Sequence, residues 1–142
     1  MNKDEHGYAH SELTQVIIGT FYEVYNELGF GFVESVYETA LSIALRAKGL
    51  KVERQCPVPV WFRGEQIGSF FADLIVNGSV ILELNAARAL EPSHIAQLLN
   101  YLRATTIEVG LVLNFGPRAS VRRLLFTNDR KKNQCSSVLI SG

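Results

Sequence analysis

Two acidic residues stand in apolar segments on either side of a predicted turn. Asp73 lies in the run 70–76 and Glu83 lies in the run 80–85, with Asn-Gly-Ser at positions 77–79 between them. Burying a carboxylate is costly unless a cation, a set of hydrogen-bond donors or protonation compensates its charge. Hard divalent cations such as Mg²⁺ bind carboxylate oxygens and keep several waters. The pair therefore predicts a site for a divalent metal ion.

The length of the turn decides whether the two carboxylates meet. If only the first two turn residues form the loop, Asp73 faces Leu82 and Glu83 points to the other side of the sheet, because side chains alternate along a strand. If residues 77–79 form a three-residue loop with Gly78 left-handed, Asp73 lies directly opposite Glu83. Opposed like charges repel, so this second register, which we favour, indicates a cation between them.

Composition sets broad limits on the class of protein. The chain has 142 residues, 47% of them hydrophobic, which fits one domain with a substantial core. We expect this domain to cover residues 1–127 and a polar tail to cover residues 128–142. Cys56 and Cys135 are far apart in the sequence and form no metal or disulfide motif, so a reduced, cytoplasmic setting is expected. No apolar run is long enough to cross a membrane.

The net charge of zero gives no overall attraction to nucleic acid. The C-terminal stretch is nevertheless locally basic, with Arg118, Arg122, Arg123, Arg130, Lys131 and Lys132 opposed only by Asp129. Such a run is usually a solvated surface. Next to an acidic metal site, the same charges could hold a phosphate backbone.

Hydrophobic periodicity predicts helices and strands in the order αα–βββ–α–ββ, which is an α/β fold around a mixed sheet. In chain order the predicted elements cover residues 11–28, 34–48, 51–62, 66–76, 80–86, 91–104, 107–114 and 121–126. Pro57 and Pro59 fall in the first strand. Since proline cannot donate to a strand ladder, they predict an edge position or a break there.

The third helix carries polar residues on one face. His94, Gln97 and Tyr101 are spaced three and four apart, so their side chains lie on the same side of the helix. One interpretation is a half-exposed face with a simple Gln–Tyr contact. The other is that Gln97 and Tyr101 orient the carboxylates of the metal site or a phosphate.

Glu34 begins the second helix, where interaction with the helix dipole is an ordinary role for an acid. The segment around it resembles the bacterial GxxExxY proteins, whose motif matches Gly31, Glu34 and Tyr37. The resemblance runs from about residue 17 to residue 126. It includes matching segments at 28–31, 37–41, 72–76, 94–102 and 110–116.

That family is grouped with the PD-(D/E)xK nuclease-like proteins. The resemblance implies a restriction-endonuclease-like αβββαβ core with a mixed central sheet flanked by helices. It also implies nucleic acid as a partner and Mg²⁺ or Mn²⁺ as a cofactor. Carried over by position, the helix acid is Glu34, the strand acid is Asp73, the ExK acid is Glu83, and the QxxxY pair is Gln97 and Tyr101. Glu34, Asp73 and Glu83 would then hold the metal.

One position departs from the family pattern. The ExK motif should hold a lysine where this chain has Asn85. The resemblance implies that this lysine orients or activates the attacking water and offsets charge on the phosphate. Asparagine can hydrogen-bond a water but carries no charge, so this stabilisation of the transition state is lost. Arg88 and Arg103 are the nearest basic residues in the sequence that could substitute.

Three functions remain open from the sequence. The first is a nuclease-like protein that keeps metal binding but has impaired or absent cleavage at the site that includes Asn85. The second is an active nuclease whose basic group has moved to another position. The third is a non-enzymatic interaction domain, in one form a homodimer, that keeps the nuclease fold.

Overall fold

The computed structural model describes residues 10–131. Its elements are, in chain order, α1 (Ser11–Leu28), α2 (Glu34–Ala47), β1 (Val52–Phe62), β2 (Glu65–Val76), β3 (Val80–Asn85), α3 (Pro92–Arg103), β4 (Val109–Phe115), β5 (Ala119–Leu125) and a short 3₁₀ turn (Asn128–Arg130). The predicted order of helices and strands is confirmed, and the element boundaries lie close to the predicted ones.

The strands form one mixed sheet in the order β1-β2-β3-β4-β5. β3 and β4 are parallel neighbours, while every other adjacent pair is antiparallel. Parallel neighbours need a crossover connection, and α3 provides it. β4 is buried along its whole length, and β3 is buried except at its last residue. Both faces of the central sheet are therefore covered, as the continuous apolar runs in these strands require.

Each face of the sheet has its own hydrophobic core. Helices α1 and α2 cover one face, where Phe21 and Leu41 pack with Leu82. Helix α3 covers the other face, where Leu98 packs with Ile81. Because Ile81 points toward α3, strand alternation also directs Glu83 to the α3 side of β3.

Beyond the central sheet, β1 and β2 continue as a two-stranded arm. β2 pairs with β3 only at residues 74–76, whereas β1 and β2 remain paired out to Phe62 and Glu65. β1 is an edge strand, so the edge position predicted from Pro57 and Pro59 is confirmed. We call residues 56–72 of this hairpin the arm.

The loop between β3 and α3 is tied to the neighbouring strand. Asn114 of β4 is fully buried. Its Oδ1 accepts a hydrogen bond from the Ala87 N–H, and its Nδ2 donates to the Ala87 carbonyl, both at 2.9 Å. These paired bonds fix the start of the crossover and hence the position of α3 relative to the end of β3.

The residues predicted as a polar tail are described only in part, since residues 132–142 lie outside the described range. Lys131 is buried, and its Nζ donates to the carbonyls of Thr105 and Ile107 at 3.0 and 2.8 Å. The basic run therefore does not present this ammonium group to solvent.

Candidate functional site

The turn between β2 and β3 contains three residues. The strand ladder pairs Val76 with Val80 and continues without slippage for two further pairs. Asn77 and Gly78 have positive φ angles of 53° and 62°. The Ser79 N–H donates to the Val76 carbonyl at 2.9 Å. The three-residue loop is confirmed, and the two-residue alternative is wrong.

β2 and β3 separate just beyond the Leu74–Leu82 pair, where the register brings Asp73 opposite Glu83. At this point hydrogen bonds from backbone N–H groups to side-chain carboxylates replace the backbone hydrogen bonds between the strands. The Leu84 N–H donates to Asp73 Oδ2 at 2.8 Å, and the Asp73 N–H donates to Glu83 Oε2 at 3.5 Å. The two carboxylates thus lie together between the diverging strands. We call the site formed by Asp73 and Glu83 at this divergence of β2 and β3 the fork.

The arm changes its orientation at the fork. Gln55 has a φ of 49°, and the β1–β2 register has a gap where Gln55 faces Asp73. Leu74 packs into the core under α1 and α2, whereas Ala72 packs into the core under α3. Residues two apart in a regular strand share a face, so the irregularity at Asp73 turns the strand over. Groups from both faces of the sheet can therefore approach Asp73.

Helix α3 reaches the fork through Gln97. Glu83 is only 6% exposed, and its Oε1 accepts a hydrogen bond from Gln97 Nε2 at 3.3 Å. The same Nε2 donates to the Tyr101 hydroxyl oxygen at 2.9 Å. His94 does not join this network, because its Nδ1 accepts a bond from the Glu91 N–H within the capping box of the helix. The Gln–Tyr contact and the contact with the carboxylate thus occur together.

Burial dominates the electrostatics of the fork. Desolvation, followed by the nearby charge of Asp73, raises the pKa of Glu83 to about 8. Hydrogen bonds from the Asp73 N–H and from Gln97 favour the ionised form but do not offset the burial. Desolvation likewise raises the pKa of Asp73, although the bond from the Leu84 N–H opposes it. At neutral pH the fork therefore holds a proton, mainly on Glu83.

Tyr101 remains a hydroxyl over the same pH range. Desolvation and the adjacent charge of Glu83 raise the pKa of Tyr101 to about 12. Since its oxygen already accepts a bond from Gln97, its O–H proton is available to a further acceptor.

The Gly31 and Tyr37 positions of the GxxExxY pattern shape the loop between α1 and α2. The Tyr37 hydroxyl donates to the Gly29 carbonyl and accepts a bond from the Phe32 N–H at 3.3 Å. The Tyr37 ring stacks on Phe115 with a centroid distance of 4.3 Å. Gly31 has a φ of 117°, which side-chain-bearing residues rarely adopt. These features fix the point where α2 begins.

Glu34 is the first residue of α2 and is exposed. Its negative charge contributes to the raised pKa values of Asp73 and Glu83, as the smallest of their identified causes. Within residues 10–131, Glu34 makes no ion pair or side-chain hydrogen bond to either carboxylate. The structure thus places Glu34 near the fork without bringing it into contact.

Glu38 is a second acid of α2 that the sequence analysis did not identify. It is 8% exposed, and its carboxylate accepts bonds from Arg54 Nε at 3.1 Å and from Gln55 Nε2 at 2.8 Å. Gln55 Nε2 also lies 3.4 Å from Asp73 Oδ1, and the charge of Glu38 raises the pKa of Asp73. Its position four residues after Glu34, on the same helix face, was the signal that could have identified it.

Asn85 ends β3 and is half-buried, two residues beyond Glu83 and so on the same strand face. In the part of the chain that the structure describes, its side chain forms no hydrogen bond. Arg103 packs over the Phe126 ring at 5.5 Å, and Arg88 is exposed. Among residues 10–131, neither arginine forms an ion pair with Asp73 or Glu83.

The donor set of the fork fits a hard divalent cation held by few protein ligands. Among residues 10–131 there is no group of three or more acidic, histidine or cysteine side chains arranged to hold a metal. Glu34 therefore does not complete the predicted set of three. Asp73 and Glu83 supply four carboxylate oxygens, and Mg²⁺ is commonly held through one or two carboxylates with water in the other positions. Desolvation raises the pKa of both acids, neighbouring acids add to this effect, and a cation at the fork would favour the ionised forms.

Comparisons with known proteins identify the family. The family model of the PD-(D/E)XK nuclease superfamily matches residues 11–124, and the chain belongs to this superfamily. Its members generally use divalent metal ions. The structure is similar to the crystal structure of SSO0001, with a TM-score of 0.52, 18% sequence identity, and coverage of 92% of this chain and 67% of that one. No curated protein matches the sequence significantly.

These comparisons confirm the restriction-endonuclease-like fold. No helix among residues 10–131 has the length and apolar character that crossing a membrane requires.

Glu83 should make stability depend on pH. Its pKa of about 8 in the folded protein lies above its ordinary value of 4.5, so the folded state holds this proton more tightly than the unfolded state. The contribution of Glu83 to the free energy of unfolding should then be highest below about pH 4.5. It should fall as the pH rises toward 8. In Glu83→Gln, which is neutral at every pH, this fall should be lost.

Urea unfolding in chelator-containing buffer, from about pH 5 to pH 9, checks the expectation. Above about pH 8 the variant should be more stable than the wild type by on the order of 5 kcal/mol, the equivalent of the shift from 4.5 to about 8. Glu65→Gln, at an exposed position, is the control and should keep the wild-type slope. Identical pH profiles for the wild type and Glu83→Gln would contradict the raised pKa.

Proposed function

We propose that this member of the PD-(D/E)XK nuclease superfamily binds a divalent metal ion at the fork and acts on nucleic acid phosphodiesters with impaired cleavage. The observation that carries this proposal is the meeting of Asp73 and Glu83 between two diverging strands, with Gln97 bonded to Glu83. Two buried carboxylates with no cationic side chain among residues 10–131 bonded to either of them favour the binding of a metal ion, because its charge stabilises their ionised forms. Within the superfamily, the GxxExxY proteins are the group that Gly31, Glu34 and Tyr37 indicate.

Each residue of the fork has a distinct role in this proposal. Asp73 and Glu83 would hold the ion, which when bound supplies positive charge against the negative charge of the phosphate. Gln97 orients the Glu83 carboxylate from α3, and Tyr101 orients Gln97. Glu34 adds negative charge from the start of α2, which strengthens the attraction for a cation without a direct bond.

Asn85 accounts for the impaired cleavage in this proposal. Its uncharged amide can hold a water through a hydrogen bond but cannot offset charge that develops on the phosphate. Loss of one charged or donating group in such a site costs about 10² to 10³ in rate. Arg54 lies beside Gln55 in β1, and its guanidinium is already paired with the Glu38 carboxylate.

A second candidate function is a non-enzymatic interaction domain. The exposed apolar side chains of the arm favour it: Phe62, Ile67 and Phe71 are 53%, 64% and 57% exposed. Exposed apolar surface of this kind marks interaction sites with other proteins or with a second copy of the chain.

Mg²⁺ or Mn²⁺ should raise the thermal stability of the wild-type protein. The ion binds the folded fork and not the unfolded chain, so an ion concentration 100 times the Kd should stabilise the folded state by about 2.7 kcal/mol. Differential scanning calorimetry with and without the ion provides the measurement. The stabilisation should vanish in Asp73→Asn and persist in Glu65→Gln, and an equal increase in all three proteins would mean that the ion binds elsewhere.

Asn85→Lys should gain nuclease activity. An ammonium group at this position lies on the strand face that carries Glu83, so it can restore positive charge beside the reacting phosphate. We expect a rise of about 10² to 10³ over a weak or undetectable wild-type rate, measured with Mg²⁺ on plasmid DNA, single-stranded DNA and RNA. Adding Glu83→Ala to this variant should abolish the gain.

Asn26→Lys adds the same charge on the exposed surface of α1 and serves as the control that should remain inactive. Strong metal-dependent cleavage by the wild type, removed by Glu83→Ala, would show that a basic group elsewhere serves the site. No cleavage by either protein, together with no metal binding, would favour the interaction domain.

A further inference from the structure

A cavity of about 270 Å³ opens at the surface between the arm and α3. Its lining residues are Phe70, Ser93, Ala96, Gln97, Asn100 and Tyr101. None of them carries a charge. The cavity is separate from the carboxylates themselves but shares one residue, Gln97, with their hydrogen-bond network.

We propose that this cavity binds one unpaired nucleobase next to the phosphodiester at the fork, so that the substrate is single-stranded nucleic acid. This inference rests on the proposed function and adds the form of nucleic acid that the site takes. Three features of the cavity support it: an aromatic wall, free polar groups and a direct link to Glu83.

The aromatic wall comes from Phe70 and Tyr101. Their rings are 5.2 Å apart with an angle of 50° between the planes. Phe70 remains 40% exposed, so its ring presents surface to a ligand as well as to Tyr101. Stacking of a base on an aromatic side chain contributes about 1–3 kcal/mol and tolerates any base, because every base has a π-face.

The polar groups come from α3. In the described part of the chain, the side chains of Ser93 and Asn100 make no hydrogen bond. An amide offers both a donor and an acceptor, and a hydroxyl offers the same. These are the groups that pair with the edges of a base that is not already engaged in a duplex.

Gln97 links the cavity to the fork. It lines the cavity, and its Nε2 lies 3.3 Å from Glu83 Oε1. A nucleotide whose base occupies the cavity therefore has its sugar and phosphate beside the carboxylates. A base inside a duplex has both faces covered by its neighbours, so stacking against Phe70 requires an unpaired or extruded base.

Binding of a fluorescent ten-nucleotide DNA strand, followed by anisotropy, tests the proposal. Phe70→Ala should weaken binding about 5- to 100-fold, the equivalent of one stacking contact. Phe70→Tyr, which keeps the ring, should bind as the wild type does. Phe71→Ala should change affinity less than about twofold, since Phe71 is a neighbouring exposed aromatic that points to the opposite side of the arm.

The matching DNA duplex should bind more weakly than the single strand. The salt dependence of the Phe70 effect should be small, because the lining of the cavity carries no charge. Equal losses in Phe70→Ala and Phe71→Ala, equal affinity for duplex and single strand, or no binding by the wild type would each overturn the proposal.

Measuring binding once with EDTA and once with Ca²⁺, beside Mg²⁺ calorimetry, separates the two proposals. Phe70-dependent binding without any metal binding would refute the metal function and leave the base site standing. Metal binding with no Phe70 effect would refute the base site alone. Circular dichroism melting of each variant confirms that the proteins compared are folded.

Discussion

The site depends on two buried carboxylates at the point where β2 leaves β3. The strands stop pairing there, and the freed Leu84 N–H finds an acceptor in Asp73, while Glu83 accepts from the Asp73 N–H. Each acid thus satisfies a backbone donor that would otherwise be orphaned, and such a donor costs about 1–3 kcal/mol when buried. The same arrangement brings two negative charges together in a desolvated place, which protonation or a cation must offset.

The surrounding elements position the fork and control its charge. α2 brings Glu34 and Glu38 toward it from one face of the sheet, and α3 brings Gln97 from the other. The arm turns over at Asp73, which lets groups from both faces reach a single carboxylate. A site assembled from elements on opposite faces needs such an interruption, because a regular strand directs each side chain to one face only.

Much of this architecture follows from local sequence. Glycine predicts the three-residue loop, proline predicts the edge position of β1, and apolar spacing predicts the order of the elements. All three signals act over a few residues. The Gln97–Tyr101 contact follows from helical spacing. The reversal at Gln55 was not predicted, because it depends on β1 lying against α2, a contact between distant segments. Helical spacing places Glu38 on the face of Glu34, but its bonds to Arg54 and Gln55 depend on the same distant contact. The place of Glu34 outside hydrogen-bonding range also depends on how the helices pack, which spacing alone does not determine.

The most direct test of the account is the number of protons released when Mg²⁺ binds. Since the pKa of Glu83 is about 8, its carboxyl is mostly protonated at pH 7 and must ionise to hold the ion. Calorimetry in buffers of different ionisation enthalpy should show about one proton released per Mg²⁺ at pH 7, falling toward zero near pH 9. Mg²⁺ binding with no proton release at pH 7, or release that persists unchanged in Glu83→Gln, would contradict a metal site at the fork.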